Sequence, residues 1–256
     1  GFINAFVVTA MALDKRPKRQ QPSEYPSLTI LVPAYNEETV IEDTLTSLIR
    51  QDYPAPLRIL VINDGSTDGT ARVVRQLQPQ SSKLELIDLD QNIGKSEALN
   101  LGLAETTTQL VVTVDADCWI RADGIRHLAE RYLSDPITTR AVAGTILIRN
   151  SRANWLTKAQ EWDYFLGIAA IKRIQSLFQG TLVAQGAFSI YDKQAVLEVG
   201  GWPKTVGEDI VLTWRLLAKG HRIGHASDAC AFTLCPATLG QFIRQRQRWS
   251  RGLIEA

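Results

Sequence analysis

Four short apolar runs, each followed by a helical pattern, constrain this chain more than any other feature. Leu28–Pro33 (LTILVP), Arg58–Ile62 (RILVI), Leu84–Leu89 and Gln109–Val114 (QLVVTV) are nearly continuous in apolar residues. Between them lie Glu38–Gln51, with Val40, Ile41, Leu45, Leu48 and Ile49 at helix spacing, then Thr70–Leu77 and Lys95–Glu105. Strands buried on both faces read as unbroken apolar runs, and helices between them cover those faces. The first half is therefore expected to be a doubly wound, Rossmann-like α/β unit with a mostly parallel sheet.

The second half changes character. Ala141–Ile148 reads as a strand, Trp155–Leu177 as one long helix and Thr181–Tyr191 as an extended piece. Gly200–Pro203 reads as a turn, Ile210–Lys219 as a helix, Arg222–Phe232 as a strand, and a last helix starts near Thr238. With no repeat and no flexible linker between the halves, residues 28–256 are expected to form one composite domain. Residues 28–118 would be its first half, and 119–256 its second. Gln20–Ser27 is a polar, Pro-bearing linker. Gly1–Leu13 is apolar, and the basic cluster Asp14–Arg19 follows it at once. Residues 1–19 are read as the end of a transmembrane helix with its cytoplasmic flank; the alternative is a short buried helix of the domain.

Charge excludes one class of partner. With 28 Lys+Arg against 27 Asp+Glu, the net charge of +1 gives no basic field for nucleic acid. The three cysteines, Cys118, Cys230 and Cys235, have no metal-ligand spacing and read as buried thiols. His225 reads as structural. Trp155 and Trp162, seven apart, read as core residues, with stacking on a ligand ring as the alternative.

In an open parallel sheet, ligands bind beyond the carboxyl ends of the strands. Polar residues that directly follow the runs are Pro33–Glu37, Asn63–Asp68 and Asp115–Asp117. All three place carboxylates on one rim. Asp68 by itself reads as a helix cap. Asp115 and Asp117 point to the same side if the chain stays extended, which suits Mg²⁺ or Mn²⁺. Lys95 stands at a Gly-loop-to-helix junction where an anion can bind, or is a solvated first-turn lysine. In the last helix Arg244, Arg248 and Arg251 share one face, and Leu239, Phe242, Trp249 and Leu253 another, which reads as a solvated basic face over a core stripe or as a helix lying at a membrane surface.

Six motifs stand in order: PAYNEE (33–38), NDGSTDGT (63–70), NIGKSEALN (92–100), DAD (115–117), GED (207–209) and QRQRW (245–249). In this order they resemble the family 2 glycosyltransferases, from about Ser27 to the C-terminus. The last, Q-x-x-R-W, resembles the processive polysaccharide synthases of that family. The stretch from Ile168 to Trp249 is most similar to the poly-N-acetylglucosamine synthases, and also to cellulose, chitin and hyaluronan synthases.

The resemblance implies a GT-A type fold, flanking membrane segments, a cytoplasmic catalytic domain at the cell membrane, a UDP-sugar donor and a divalent ion. It also implies a growing β-linked polysaccharide, or a lipid, as acceptor, and allows an accessory subunit. Ala34, Tyr35, Glu37 and Asp64 would hold the uridine, with Lys95 near the nucleotide. Asp115 and Asp117 would tie the metal to the diphosphate, Asp209 would be the base with Glu208 beside it, and Gln245, Arg248 and Trp249 would close over donor and acceptor. Gln185 and Gly186 fall where the acceptor-facing loop lies. Two departures are Asn63, where many members have Asp, and Gly207, often Thr. The rival from another class is a non-catalytic nucleotide sensor, which the retained Asp115, Asp117 and Asp209 argue against.

Overall fold

The computed structural model describes residues 5, 8, 9, 17–178 and 180–255. Most of the expected membrane-helix end and of its basic flank lies outside the described residues. Among those described, no helix is long and apolar enough to cross a membrane.

The strands are β1 (Leu28–Ala34), β2 (Leu57–Asn63), β3 (Leu84–Asp88), β4 (Leu110–Val114), β5 (Trp119–Ile120), β6 (Thr139–Ile148), β7 (Phe188–Asp192) and β8 (Arg222–Thr233). They form one eight-stranded sheet in the order β3-β2-β1-β4-β7-β6-β8-β5. β1 to β4 are mutually parallel, β7 runs antiparallel to β4 and β6, and β8 is parallel to β6. The sheet is thus mixed but mostly parallel, as expected. Inserting β7 backwards brings the loop before it to the carboxyl ends of β1, β2 and β4.

Helices α1 (Ile41–Ile49), α2 (Thr70–Leu77), α3 (Lys95–Ala104) and α4 (Gly124–Ser134) belong to the first part. α1 and α2 contribute Ile41, Leu45, Leu48, Val73 and Val74 to the core on one face of the sheet. α3 puts Ala98, Leu99 and Leu103 on the other, against Leu31, Leu60 and Ile62. Two apolar layers on one sheet explain why the strands read as unbroken runs. Residues 17–27 do not swing free: Tyr25 donates to Glu130 on α4 at 2.6 Å, and Arg19 pairs with the same carboxylate at 3.1 Å.

The second part departs from the sequence reading. The single helix expected over Trp155–Leu177 is three pieces: α5 (Trp155–Asp163), a π-helix (Tyr164–Ala170) and α6 (Ile171–Phe178). Asn154 starts α5 with a reciprocal capping box to Thr157. On α5, Trp155 and Trp162 face outward, 72% and 59% exposed, so core packing is wrong for both. Thr181–Tyr191 is extended only from Phe188, and 181–187 is loop. β5, α4 and the short α7 (Lys193–Glu198) have no counterpart in the sequence reading. α8 (Glu208–Ala218) and α9 (Leu239–Glu255) complete the fold.

Candidate active site

The carboxyl ends of β1, β2 and β4 form the rim on which the polar motifs meet. Ala34, buried at the end of β1, pairs in register with Asn63 at the end of β2. The two loops that follow are laced together. Asn36, with a left-handed φ of 57°, accepts from the Thr67 N–H at 2.9 Å, and its own N–H donates to Ser66 Oγ at 2.9 Å. The Glu37 N–H donates to Thr70 Oγ1, and the Glu38 N–H to Asp68 Oδ2. Asp68 also accepts from the N–H of Thr70, the first residue of α2, so its turn chemistry is real and extends across loops. Tyr35 stays exposed on the rim.

Asp64 is 3% exposed, and its carboxylate is engaged. It accepts from the Ile93 N–H at 2.7 Å, the Gly94 N–H at 2.9 Å and Asn92 Nδ2 at 3.0 Å. Gly65 follows with φ 63°, where a Cβ would fall 2.3 Å from the Gln91 carbonyl carbon. Only glycine allows that approach. The motif at 63–70 therefore clamps the loop that leads into Lys95. Asp64→Ala would leave two part-buried N–H groups without their carboxylate acceptor, a loss of about 2–4 kcal/mol. The expected result is a melting midpoint lowered by roughly 5–10 °C, measured by thermal unfolding; an unchanged midpoint would mean the clamp holds nothing.

Lys95 is the electrostatic hub. Its Nζ lies 2.5 Å from Asp115 Oδ1 and 3.6 Å from Glu208 Oε1, joining the tip of β4 to the start of α8. Burial alone would lower its pKa, but Asp115 and Glu208 hold it well above the usual lysine value. The carboxylates face the opposite problem. Burial, then Asp117 and Asp115, push Glu37 up to about 7. Burial and Asp115 raise Asp117, and burial raises Glu208 against the pull of Lys95. Several acids are thus crowded around one ammonium.

The aspartates do not lie on extended chain as supposed. β4 ends at Val114, and the Cys118 N–H closes a turn onto the Asp115 carbonyl at 3.0 Å. The turn still brings the two carboxylates within each other's field. Asp117 accepts from Thr233 Oγ1 at 3.2 Å, which ties it to β8. Among the described residues no three His, Cys, Asp or Glu side chains converge to hold a metal ion. The donor set nevertheless fits one: hard oxygens, mutually repelling, that supply few ligands, as Mg²⁺ needs when phosphates provide the rest.

Asp209 and Glu208 open α8. The Gly186 N–H donates to Asp209 Oδ2 at 3.0 Å, so loop 181–187 sits on this carboxylate. Gln185, beside it, donates to the Gly144 carbonyl at 2.7 Å while its Oε1 is buried without a partner among the described residues. Gly207, at φ 81°, meets Gly252 of α9, where a Cβ on Gly207 would fall 3.1 Å from the Gly252 Cα. The departure from Thr at 207 thus matches a backbone-to-backbone contact that sets α9 beside the acids.

α9 only partly follows its expected faces. Trp249 is half-buried, its ring centroid 5.9 Å from that of Tyr164, and Arg246 stacks over it at 4.5 Å. Gln245 turns inward with a buried, unpartnered Oε1, whereas Arg248 is exposed together with Leu239 and Leu253. Arg246, which the motif leaves unspecified, is the arginine that packs inward, paired with Asp163 at 2.5 Å. A cleft of about 380 Å³ opens beside Lys95 and Glu208 and adds Lys204, which the sequence reading did not single out, and Arg251, which it placed on the basic face of the last helix. A larger depression of about 500 Å³ is lined by α9 alone. His225 is buried against Thr145, and all three cysteines are buried and free, as expected.

The Glycosyl transferase family 2 model matches residues 29–200, the part that builds this rim. The chain belongs to glycosyltransferase family 2. Curated relatives include the poly-beta-1,6-N-acetyl-D-glucosamine synthases of Staphylococcus aureus, 35% identical over 94% of this chain and 58% of that protein. The Staphylococcus epidermidis synthase is 32% identical over 91% and 56%. The chain thus spans a little over half the length of these family 2 relatives. Among solved structures, the mannosyltransferase PcManGT from Pyrobaculum calidifontis, in complex with GDP-Man and Mn²⁺, superposes with a TM-score of 0.78. It is 24% identical and covers 98% of this chain and 70% of its own. S. aureus TarS 1–349 with UDP-GlcNAc gives 0.62 at 20% identity, over 84% and 60%. These likenesses show the GT-A-like Rossmann fold.

Proposed function

We propose that this chain is the catalytic domain of a processive, inverting β-glycosyltransferase. It moves N-acetylglucosamine from UDP to a growing polysaccharide at the cytoplasmic face of the cell membrane. The observation that carries this reading is the meeting, on one sheet edge, of Asp115 with Lys95, with Glu37 and Asp117 in the field of Asp115 and with Glu208, the neighbour of Asp209, on the other side of Lys95. The curated relatives, synthases of a poly-N-acetylglucosamine, favour that donor sugar.

The uridine would lie over Ala34, Tyr35 and Glu37. Asp64 would act on it through the loop it clamps. The diphosphate would point toward Lys95, with Lys204 and Arg251 on the cleft wall as further positive charge. Asp115 and Asp117 would hold Mg²⁺ or Mn²⁺, which when bound stabilises charge developing on the leaving diphosphate. Asp209 takes the proton of the acceptor hydroxyl as it attacks the anomeric carbon, with Glu208 beside it. One displacement inverts that centre. Gln245 offers a free acceptor to a sugar hydroxyl, while Trp249 and Arg248 belong to the helix that closes the site. Exposed Trp155, Trp162, Phe165 and Leu166 on one side and Ile243 and Leu253 on α9 form apolar surface suited to a membrane interface.

The test is UDP release by the full-length protein in membranes, with Mg²⁺ or Mn²⁺, across a panel of UDP-sugars. Release with UDP-N-acetylglucosamine and a product many sugars long is expected. A product stopping at one added sugar would remove processivity, and no release with any donor would favour a nucleotide sensor.

A further inference from the structure

Phe242, Arg246 and Trp249 stand at i, i+4 and i+7 on α9 and so form one stripe. The outer two were expected together on an apolar face; the arginine between them was not. Its guanidinium carbon lies 4.5 Å from the Trp249 ring centroid, 5.0 Å from that of Phe242 and 6.0 Å from that of Tyr164. At those distances a cation is drawn to a ring face. The Arg246 side chain is largely shielded, and its charge is met by Asp163 at 2.5 Å. Asp163 ends α5 and Tyr164 opens the π-helix. One guanidinium thus joins α9 to the junction where the expected long helix breaks.

The contact matters because α9 buries little of itself. Among its described residues Gly252 alone is buried, where it meets Gly207 just before α8. Leu239, Ile243, Leu253 and Ile254 point outward. The second attachment is the stripe, nearly two turns earlier at Arg246. There Trp249 packs against the core, its ring centroid 5.9 Å from that of Tyr164. Removing the guanidinium uncovers the indole and unties α9 from Asp163 in one step. A planar guanidinium can lie on a ring and pair a carboxylate at once, which a point-like ammonium cannot match.

We propose that Arg246 is a positioning residue for the transfer. It holds Trp249, and with it α9, against the α5–π junction in the orientation that closes over donor and acceptor. This assignment rests on Trp249 closing the site. A positioning group displaced by about 1 Å costs on the order of a hundredfold in rate. An indole that loses Arg246 and keeps Tyr164 beside it should lose less.

The experiment is a double-mutant cycle in the full-length protein in membranes. It reads kcat and KM for UDP release from UDP-N-acetylglucosamine, with UDP affinity measured alongside. Arg246→Met should lower kcat by about tenfold, with UDP affinity within about twofold of wild type. In a Trp249→Leu background the same change should cost no more than about twofold, because the ring it positions is gone. Asp163→Asn should lower kcat in the same direction and by less, since the stack remains. Arg246→Gln serves where the Met variant does not fold, and must behave alike. Equal losses in both backgrounds would mean that Arg246 supports the fold and not Trp249. Wild-type kcat in Arg246→Met would mean that it positions nothing, and either result overturns the proposal. Trp249→Leu at the wild-type rate would instead overturn the role of Trp249 beneath it.

Discussion

Asp209→Asn should lower the rate of sugar transfer by about a thousandfold, within the range that a positioned general base contributes. The substitution is nearly isosteric. The Gly186 N–H can still donate to the amide oxygen in place of Asp209 Oδ2, and Thr213 Oγ1 still donates to the backbone carbonyl of residue 209 at 2.6 Å. Fold and loop position should therefore survive. The nucleotide loops at 34–37 and 63–70 make no hydrogen bond to Asp209, so UDP affinity should stay within about twofold. Single-turnover UDP release and calorimetric UDP binding separate the two effects. Near-normal turnover would mean that another group takes the acceptor proton.

Asp115→Asn should abolish metal-dependent UDP binding and lower turnover by about a thousandfold, the order of loss expected when charge stabilisation at a leaving group is removed. The physical reason is the hub around Lys95. Without the Asp115 carboxylate, Lys95 keeps the more distant Glu208 at 3.6 Å as its ion-pair partner among the described residues, and Asp117 loses the neighbour with which it would share a cation. Titration of UDP with and without Mn²⁺ reads the effect directly. Metal should tighten UDP binding in wild type and not in the variant. Equal tightening in both would show that Asp115 is not a ligand, and that the rim acids repel one another for another purpose. Chelation of the wild-type protein should reproduce the variant's loss and be reversed by added Mg²⁺ or Mn²⁺.

The first half was legible because its signals are local. Thr70–Leu77 was expected as a helix and is one, residue for residue, and each strand of the parallel core ends within a residue or two of its apolar run. A buried strand and an amphipathic helix are each decided by neighbours close in sequence. The same holds for the acidic tips, since strand direction alone sends them to one rim. Motif order added the family, which the match over residues 29–200 bears out.

Other features depended on partners far away in the chain. Asp64 reads as a ligand contact, yet its carboxylate is occupied by a loop some thirty residues on. Lys204 and Arg251 reach the cleft only because Gly207 and Gly252 bring α8 and α9 together. The long helix over Trp155–Leu177 shows a plausible helical spacing, and nothing in that spacing marks where the turn widens. Nor does it mark that α5 presents its two tryptophans to solvent while Lys172 on α6 is buried. The sequence by itself determined the parallel core, its rim and the family, because period and strand direction are written locally. Which charged groups meet on that rim, and which face each helix of the second half presents, only the tertiary structure decided, because those depend on packing between segments up to a hundred and more residues apart.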